Sequence, residues 1–312
     1  MQTPLDLVRL RELMNLTQGD AAVQIALIDG PVCTAHSAFA EGHLKSLREG
    51  AACASEVDAA CIHGTFVAGI ISANRGAQAP GICPGCTLLI FPIFLAKGSC
   101  GFEMPGAPAR ELASAITSCV NAGANVINLS VAPSRTSLTR DQGIESALDF
   151  AAAKNVIVVA ATGNEGALGS TSITRHPWVV PVAACDASGR PMTASNLAHS
   201  IATRGLRAPG ESITGLNPDG GVTRQSGTSA AAPFVSGTIA LLWSLKRDAT
   251  AASIRHALLS SPERTRSIVP PLLDSWSAYG TLNRLLERNR ENRTVPGAAE
   301  TGKSTAAWVS AR

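Results

Sequence analysis

Gly227-Thr228-Ser229-Ala230-Ala231-Ala232-Pro233 is the stretch on which the reading of this chain turns. A small, unhindered serine opens a long apolar segment, Ala231 to Leu245, and the pattern predicts a buried helix over residues 228–245. A hydroxyl at a helix N-terminus meets unpaired backbone N–H groups and the positive end of the helix dipole. Such a place stabilises an oxyanion forming beside the serine. A serine hydroxyl alone is a weak nucleophile, so this reading requires a base and an orienting acid elsewhere in the chain.

Both are present upstream. His63 lies in His63-Gly64-Thr65-Phe66-Val67-Ala68-Gly69, which reads as the polar start of another apolar helix. Asp29 ends the strand-like run Val23 to Ile28, where Gly30-Pro31 breaks the chain direction. Asn164, in Gly163-Asn164-Glu165-Gly166, follows the strand-like Val156-Ile157-Val158-Val159, and an amide on such a loop can donate to an oxyanion. Asp, then His, then Ser is one of the chain orders in which a proton-relay triad is built. His36, His43, His176, His199 and His256 have no comparable context and are read as non-catalytic.

At these four places the sequence resembles the subtilisin-like serine proteases (subtilases), from about Val23 to about Leu285. The resemblance implies peptide-bond hydrolysis through an acyl-enzyme, with Asp29, His63 and Ser229 as the triad and Asn164 as the oxyanion donor. A narrower likeness rests on Ala26-Leu27-Ile28-Asp29-Gly30-Pro31-Val32, with Gly directly after the Asp. It rests also on Pro80-Gly81-Ile82-Cys83-Pro84-Gly85-Cys86 leading into Leu89 to Phe94, and on Ala208-Pro209-Gly210-Glu211-Ser212-Ile213. Together these resemble the maturation proteases of cyanobactin-type ribosomal peptide pathways, which implies a precursor peptide as substrate. The resemblance also implies an extended peptide pairing with backbone at Gly98–Gly101 and at Ser130, Val131 and Ala132. A side-chain pocket is expected between Ser130–Pro133 and Ala160–Gly163, with Ala161 and Gly163 at its wall. Glu165 reads equally as a neighbour of that pocket or as a solvated loop charge. Ala230 stands where the family usually carries Met, and Ser130-Val131-Ala132 replaces its more usual Ser-x-Gly. Calcium is common in the family, but no Asp-x-Asp-x-Asp-Gly loop occurs here. No cofactor is therefore assigned, and a calcium site built from distant loops stays open.

Strand signals over 23–28, 88–94, 125–129, 156–160 and 178–183 alternate with helix signals over 63–73, 111–122, 142–153 and 228–245. That alternation argues for an α/β fold: three layers, a mostly parallel central sheet with helices on both faces, as the subtilisin resemblance implies. The triad positions then fall at strand C-terminal ends and helix N-termini, where open α/β sheets place their sites. Lys97–Ala109 reads as a Gly- and Pro-rich surface loop, and Thr203–Thr223 as loop with short strand-like pieces. The organisation expected is an N-terminal extension over 1–20, one catalytic domain over 21–288 and a disordered tail over 289–312.

The chain has 312 residues, 45% of them hydrophobic and 16% charged, enough for one large domain with an ample core. A net charge of +3 implies neither nucleic acid nor an anionic membrane surface as partner. No apolar run reaches the roughly 20 residues that span a bilayer. Met1 to Arg9 lacks the basic start and apolar core of a secretion signal, so a cytoplasmic location is expected, or a secreted one if a leader has been removed. Eight cysteines leave the disulfide pattern open, and free thiols are the usual cytosolic state. Cys53 and Cys61 flank a short polar loop that a bridge could close. Cys83-x-x-Cys86 lacks the second ligand pair a zinc site needs and reads as two small residues in a tight Pro/Gly turn.

Two other functions fit the same residues. One is a scaffold of this type that binds a peptide without cutting it. The other is a secreted degradative protease whose signal and propeptide have been removed.

Overall fold

The computed structural model describes residues 3–49, 53, 57–94, 107–130, 141–260 and 267–294. In chain order the elements are α1 (Pro4–Leu7), α2 (Leu10–Leu16), β1 (Gln24–Asp29), β2 (Leu44–Ser46), α3 (Ala59–Ser72), β3 (Thr87–Pro92), α4 (Ala109–Asn121), β4 (Val126–Leu129), α5 (Gln142–Ala153), β5 (Ile157–Ala161), β6 (Val180–Cys185), α6 (His199–Arg204), β7 (Leu206–Pro209), β8 (Ile213–Leu216), β9 (Val222–Gln225), α7 (Thr228–Leu245), α8 (Ala251–Leu259) and α9 (Ser275–Thr294).

The inner strands of the main sheet, β3, β1, β4, β5 and β6, are buried on both faces, which is why they read as continuous hydrophobic runs rather than alternating ones. In β1, Ile25 and Leu27 enter one core with Phe66 and Ile70 of α3 and Val235 and Ile239 of α7. Ala26 and Ile28 enter a second core with Leu112 and Ile116 of α4 and Leu148 of α5. Seven strands lie in the order β2-β3-β1-β4-β5-β6-β7, and every neighbouring pair is parallel. β8 and β9 form a separate antiparallel hairpin. The expected fold class, a parallel sheet between two helical layers, is what the chain adopts.

The strand order places the functional crevice. From β1 the chain crosses by α3 to β3 on one side, then returns by α4 to β4 on the other side of β1. The order of winding therefore reverses between β1 and β4, and ligands of open α/β sheets bind outside the strand C-termini at such a point. Asp29 is the last residue of β1, Ser130 follows β4, and Thr162-Gly163-Asn164 follow β5.

Helices α5 and α7 occupy the spans expected of them. By length and composition α7 is apolar enough to cross a membrane, and 83% of it is buried within the protein core. Helix α3 begins four residues earlier than expected, because Asp58, whose side chain accepts the Ala60 N–H, caps it. The short strand-like pieces expected within the loop over 203–223 are β7, β8 and the start of β9. Of the surface loop expected over 97–109, residues 97–106 lie outside the described residues, as does the tail from 295 onward; α9 reaches Thr294.

The segment before β1, described from Thr3, packs onto the core: Val8, Leu10 and Leu13 are fully buried. Arg75, just past α3, holds them there. Its guanidinium donates to the carbonyls of Met14, Thr17 (2.6 Å) and Ile82 (2.9 Å), tying the end of α2 to the turn before β3. In that turn the Cys86 N–H donates to the Cys83 carbonyl at 3.1 Å around Pro84-Gly85. Cys53 and Cys61 form a disulfide with Cα atoms 5.4 Å apart, closing the loop that leads into α3. Among the described residues, no group of three or more His, Cys, Asp or Glu is arranged to hold a metal ion.

Replacing Arg75 by Ala removes a charged donor from three carbonyls, at about 1.5–3 kcal/mol for a hydrogen bond to a charged group and with partial recovery by water. A loss of about 2–3 kcal/mol in urea unfolding is expected, with faster amide exchange in residues 10–20. Unchanged exchange there would mean that apolar packing alone holds α2.

Candidate active site

The site starts from a close approach of backbone to backbone. A Cβ on Gly30 would lie 1.9 Å from the carbonyl oxygen of Ala60, and one on Gly64 would lie 2.4 Å from that of Pro31. With both positions bare, the first turn of α3 rests directly on the end of β1. That contact brings His63 to Asp29: Nδ1 and Oδ1 are 2.6 Å apart. The Asp29 carboxylate is fully buried. Its Oδ1 also accepts the Gly30 N–H at 2.6 Å, and Oδ2 has no hydrogen-bond partner among the described residues.

Two opposing effects act on the imidazole. Burial favours the neutral ring and is the larger single effect. The charge of Asp29 and its hydrogen bond together outweigh it, so the His63 pKa is raised above the ordinary 6.5. With Nδ1 committed to the carboxylate, Nε2 is the nitrogen left to accept or give a proton.

Ser229 is the second residue of α7, and no local side chain caps this helix. The cap comes from the loop after β5. Asn164 Oδ1 accepts the Thr228 N–H at 2.8 Å, and in return the Gly163 N–H donates to Thr228 Oγ1 at 3.1 Å. Gly227, at φ +143°, makes room: a Cβ there would meet the Asn164 amide at 2.9 Å. With Oδ1 occupied, Asn164 Nδ2 points its hydrogens elsewhere. Neither Asn164 Nδ2 nor the Ser229 N–H has an acceptor among the described residues. Two unpaired donors therefore lie beside the serine, at the positive end of an 18-residue helix. The Ser229 hydroxyl makes no hydrogen bond to His63 among the described residues, and α3 and α7 pack against each other. Such bonds are often long in unliganded enzymes and tighten on binding.

A family model described as Peptidase_S8, the subtilase family, matches residues 20–290. The chain belongs to that family. Among curated relatives it is 27% identical to subtilisin NAT of Bacillus subtilis subsp. natto over 77% of this chain, and spans 60% of that protein's length. It is 29% identical to mycosin-4 of Mycobacterium tuberculosis over 94% of this chain and 70% of that protein. Among solved structures, the prenylagaramide maturation protease PagA superposes with a TM-score of 0.76 at 33% identity, covering 88% of this chain and 98% of that one. The self-cleaved protease domain of PatA gives a TM-score of 0.74 at 35% identity, covering 86% and 98%.

Within this subtilase, Asp29, His63, Ser229 and Asn164 are brought to the C-terminal edge of the sheet. Ala161 and Gly163 line the end of β5, and Ser130 the end of β4. Gly98, Gly101, Val131 and Ala132 lie outside the described residues. Glu165 is exposed, and its Oε2 accepts from Asn196 Nδ2. Sequence reasoning missed Asn196. Fully enclosed, it donates also to the Thr162 carbonyl and accepts the Ala167 N–H at 2.8 Å, so it holds the whole 162–167 loop in shape. It missed Thr228 as a latch too, although that residue was quoted in the deciding motif.

The raised pKa of His63 has a defined sign. The native state binds the proton more tightly than the unfolded chain, so this stabilisation is complete below the unfolded value of about 6.5 and is lost as pH rises through the native value. Asp29→Asn removes the charge but leaves the burial. In NMR titration His63 is expected to move from above 6.5 in the wild type to below it in the variant. A variant titrating at the wild-type value would show that Asp29 is not what raises it.

Proposed function

We propose that this chain is a serine endopeptidase that cuts an extended precursor peptide. The observation that carries the reading is the pair of unpaired donors, Asn164 Nδ2 and the Ser229 N–H, beside a serine whose neighbouring helix holds a carboxylate-anchored imidazole. Unpaired donors fixed before substrate arrives are what a tetrahedral oxyanion requires. His63 Nε2 takes the proton of Ser229 Oγ as the hydroxyl attacks the scissile carbonyl, then delivers it to the leaving amine. Asp29 keeps the proton on Nδ1 and stabilises the imidazolium. Water repeats the sequence to release the acyl group. The peptide lies extended past Ser130 at the end of β4, with a side chain beside Ala161 and Gly163. A precursor peptide is favoured over general digestion by the likeness to PagA and the PatA protease domain, each a maturation protease by name or origin.

A fluorophosphonate probe is expected to label the wild type and not Ser229→Ala; a folded wild type that stays unlabelled would leave a peptide-binding scaffold instead. Asn164→Ala should lower kcat about 10²–10³-fold with little change in KM, since the lost bond serves the transition state. Against denatured casein the enzyme should cut few bonds, and against leader-containing precursor peptides one defined bond. Broad casein digestion would point to the degradative alternative.

A further inference from the structure

Helix α7 contains a proline, Pro233, four residues after Ser229. Proline has no N–H, so position 233 cannot donate to the carbonyl one turn back, and that carbonyl belongs to Ser229. The residue carrying the nucleophilic hydroxyl is thus the one whose helical hydrogen bond is missing.

A substitute donor comes from the sheet. Ser130 Oγ donates to the Ser229 carbonyl at 3.3 Å. The Ser130 hydroxyl is itself aimed by Asn128, whose Nδ2 donates to Ser130 Oγ at 2.7 Å. Asn128 Oδ1 in turn accepts from Ser236 Oγ at 2.7 Å. Ser236 lies on α7, two helical turns beyond Ser229 and on the same face. The chain of donors therefore leaves α7, passes through the end of β4 and returns to α7, with every proton pointing the same way. Asn128 and Ser236 are wholly buried and Ser130 is 6% exposed. In that low-dielectric setting each link strengthens the next.

We infer that Asn128 is a positioning residue for Ser229, acting through Ser130, whose hydroxyl replaces the donor that Pro233 cannot supply. The inference rests on Ser229 being the nucleophile. It gives Ser130 a side-chain task separate from the backbone pairing with substrate. The first turn of α7 carries both the attacking oxygen and the Ser229 N–H, so a carbonyl left free to tilt displaces both from the positions the reaction needs.

The test is a double-variant cycle on the full chain, read by the second-order rate of fluorophosphonate labelling at Ser229 and by peptide kcat and KM. Ser130→Ala is expected to slow labelling and kcat about tenfold with KM nearly unchanged, the size of one lost hydrogen bond. Asn128→Ala should act in the same direction. Pro233→Ala restores an N–H to face the Ser229 carbonyl, so in that background Ser130→Ala should change the rate less than about twofold. A residue that merely stabilised the fold would slow both backgrounds alike. Equal losses in the two backgrounds, or wild-type rates for Ser130→Ala, overturn the inference while leaving the protease reading intact. A folded wild type that takes up no probe overturns both. If Asn128→Ala fails to fold, the Ser130 and Pro233 pair still decides.

Discussion

How closely the first turn of α3 can approach the end of β1 sets the rest of the crevice. The approach is possible only where two chains of backbone touch without side chains between them, at Gly30 against Ala60 and at Gly64 against Pro31. Any Cβ at either point would push the helix outward and draw His63 away from Asp29. The start of α3 is held from behind by the Asp58 cap and the Cys53–Cys61 disulfide. It is held from the side by Thr65, whose hydroxyl receives the Cys33 N–H at 2.9 Å. Glycine directly after the acid, which in the sequence was a mark of the narrower likeness, is in the structure a steric requirement.

The opposite wall of the crevice is built by a different device. The N-cap position of α7 is Gly227, which offers no capping side chain, and the missing cap is supplied by Asn164 from a distant loop. One amide therefore serves two ends. Its oxygen completes the helix, and completing the helix fixes where its nitrogen points. Stability of the helix terminus and the direction of the Asn164 amide N–H bonds are coupled through a single side chain. The loop bearing it is kept in register by Asn196, so the donor's position is set two shells deep.

Much of this was legible in the sequence, for reasons that differ by element. Strands buried on both faces, the amphipathic helix α5 and the apolar helix α7 announce themselves through local sequence pattern. The four-residue error at the start of α3 arose because His63-Gly64-Thr65 looks like a polar helix entry. The real cap, Asp58, lies behind an alanine pair that carries no periodic signal. The N-terminal helices read in the sequence only as an extension, because segments this short carry weak patterns. They are tied to the core in part by Arg75, more than fifty residues away, which donates to the Met14 and Thr17 carbonyls. Asn196 and the Thr228 latch could not be found because their partners are remote in sequence. Asn128 left one trace, a lone amide inside the apolar run Val126-Ile127-Asn128-Leu129.

That trace bears on why the core of this molecule contains polar groups at all. Burying Asn128 and Ser236 removes them from water, and a matched apolar pair of the same shape would often be as stable or more so. Stability alone therefore does not explain an amide and a hydroxyl facing each other between β4 and α7. Direction does. Apolar contacts hold two surfaces together but allow small slides, whereas a chain of hydrogen bonds that must end on one particular carbonyl fixes a helix along its axis and about it. Proline four residues after the serine creates the unfilled carbonyl, and the donor chain fills it from the sheet rather than from the helix. The serine's position is thereby referred to the strand ends, the same frame that carries Asp29 and the loop of Asn164. Two sides of the site that arrive from separate helices are aligned through one sheet.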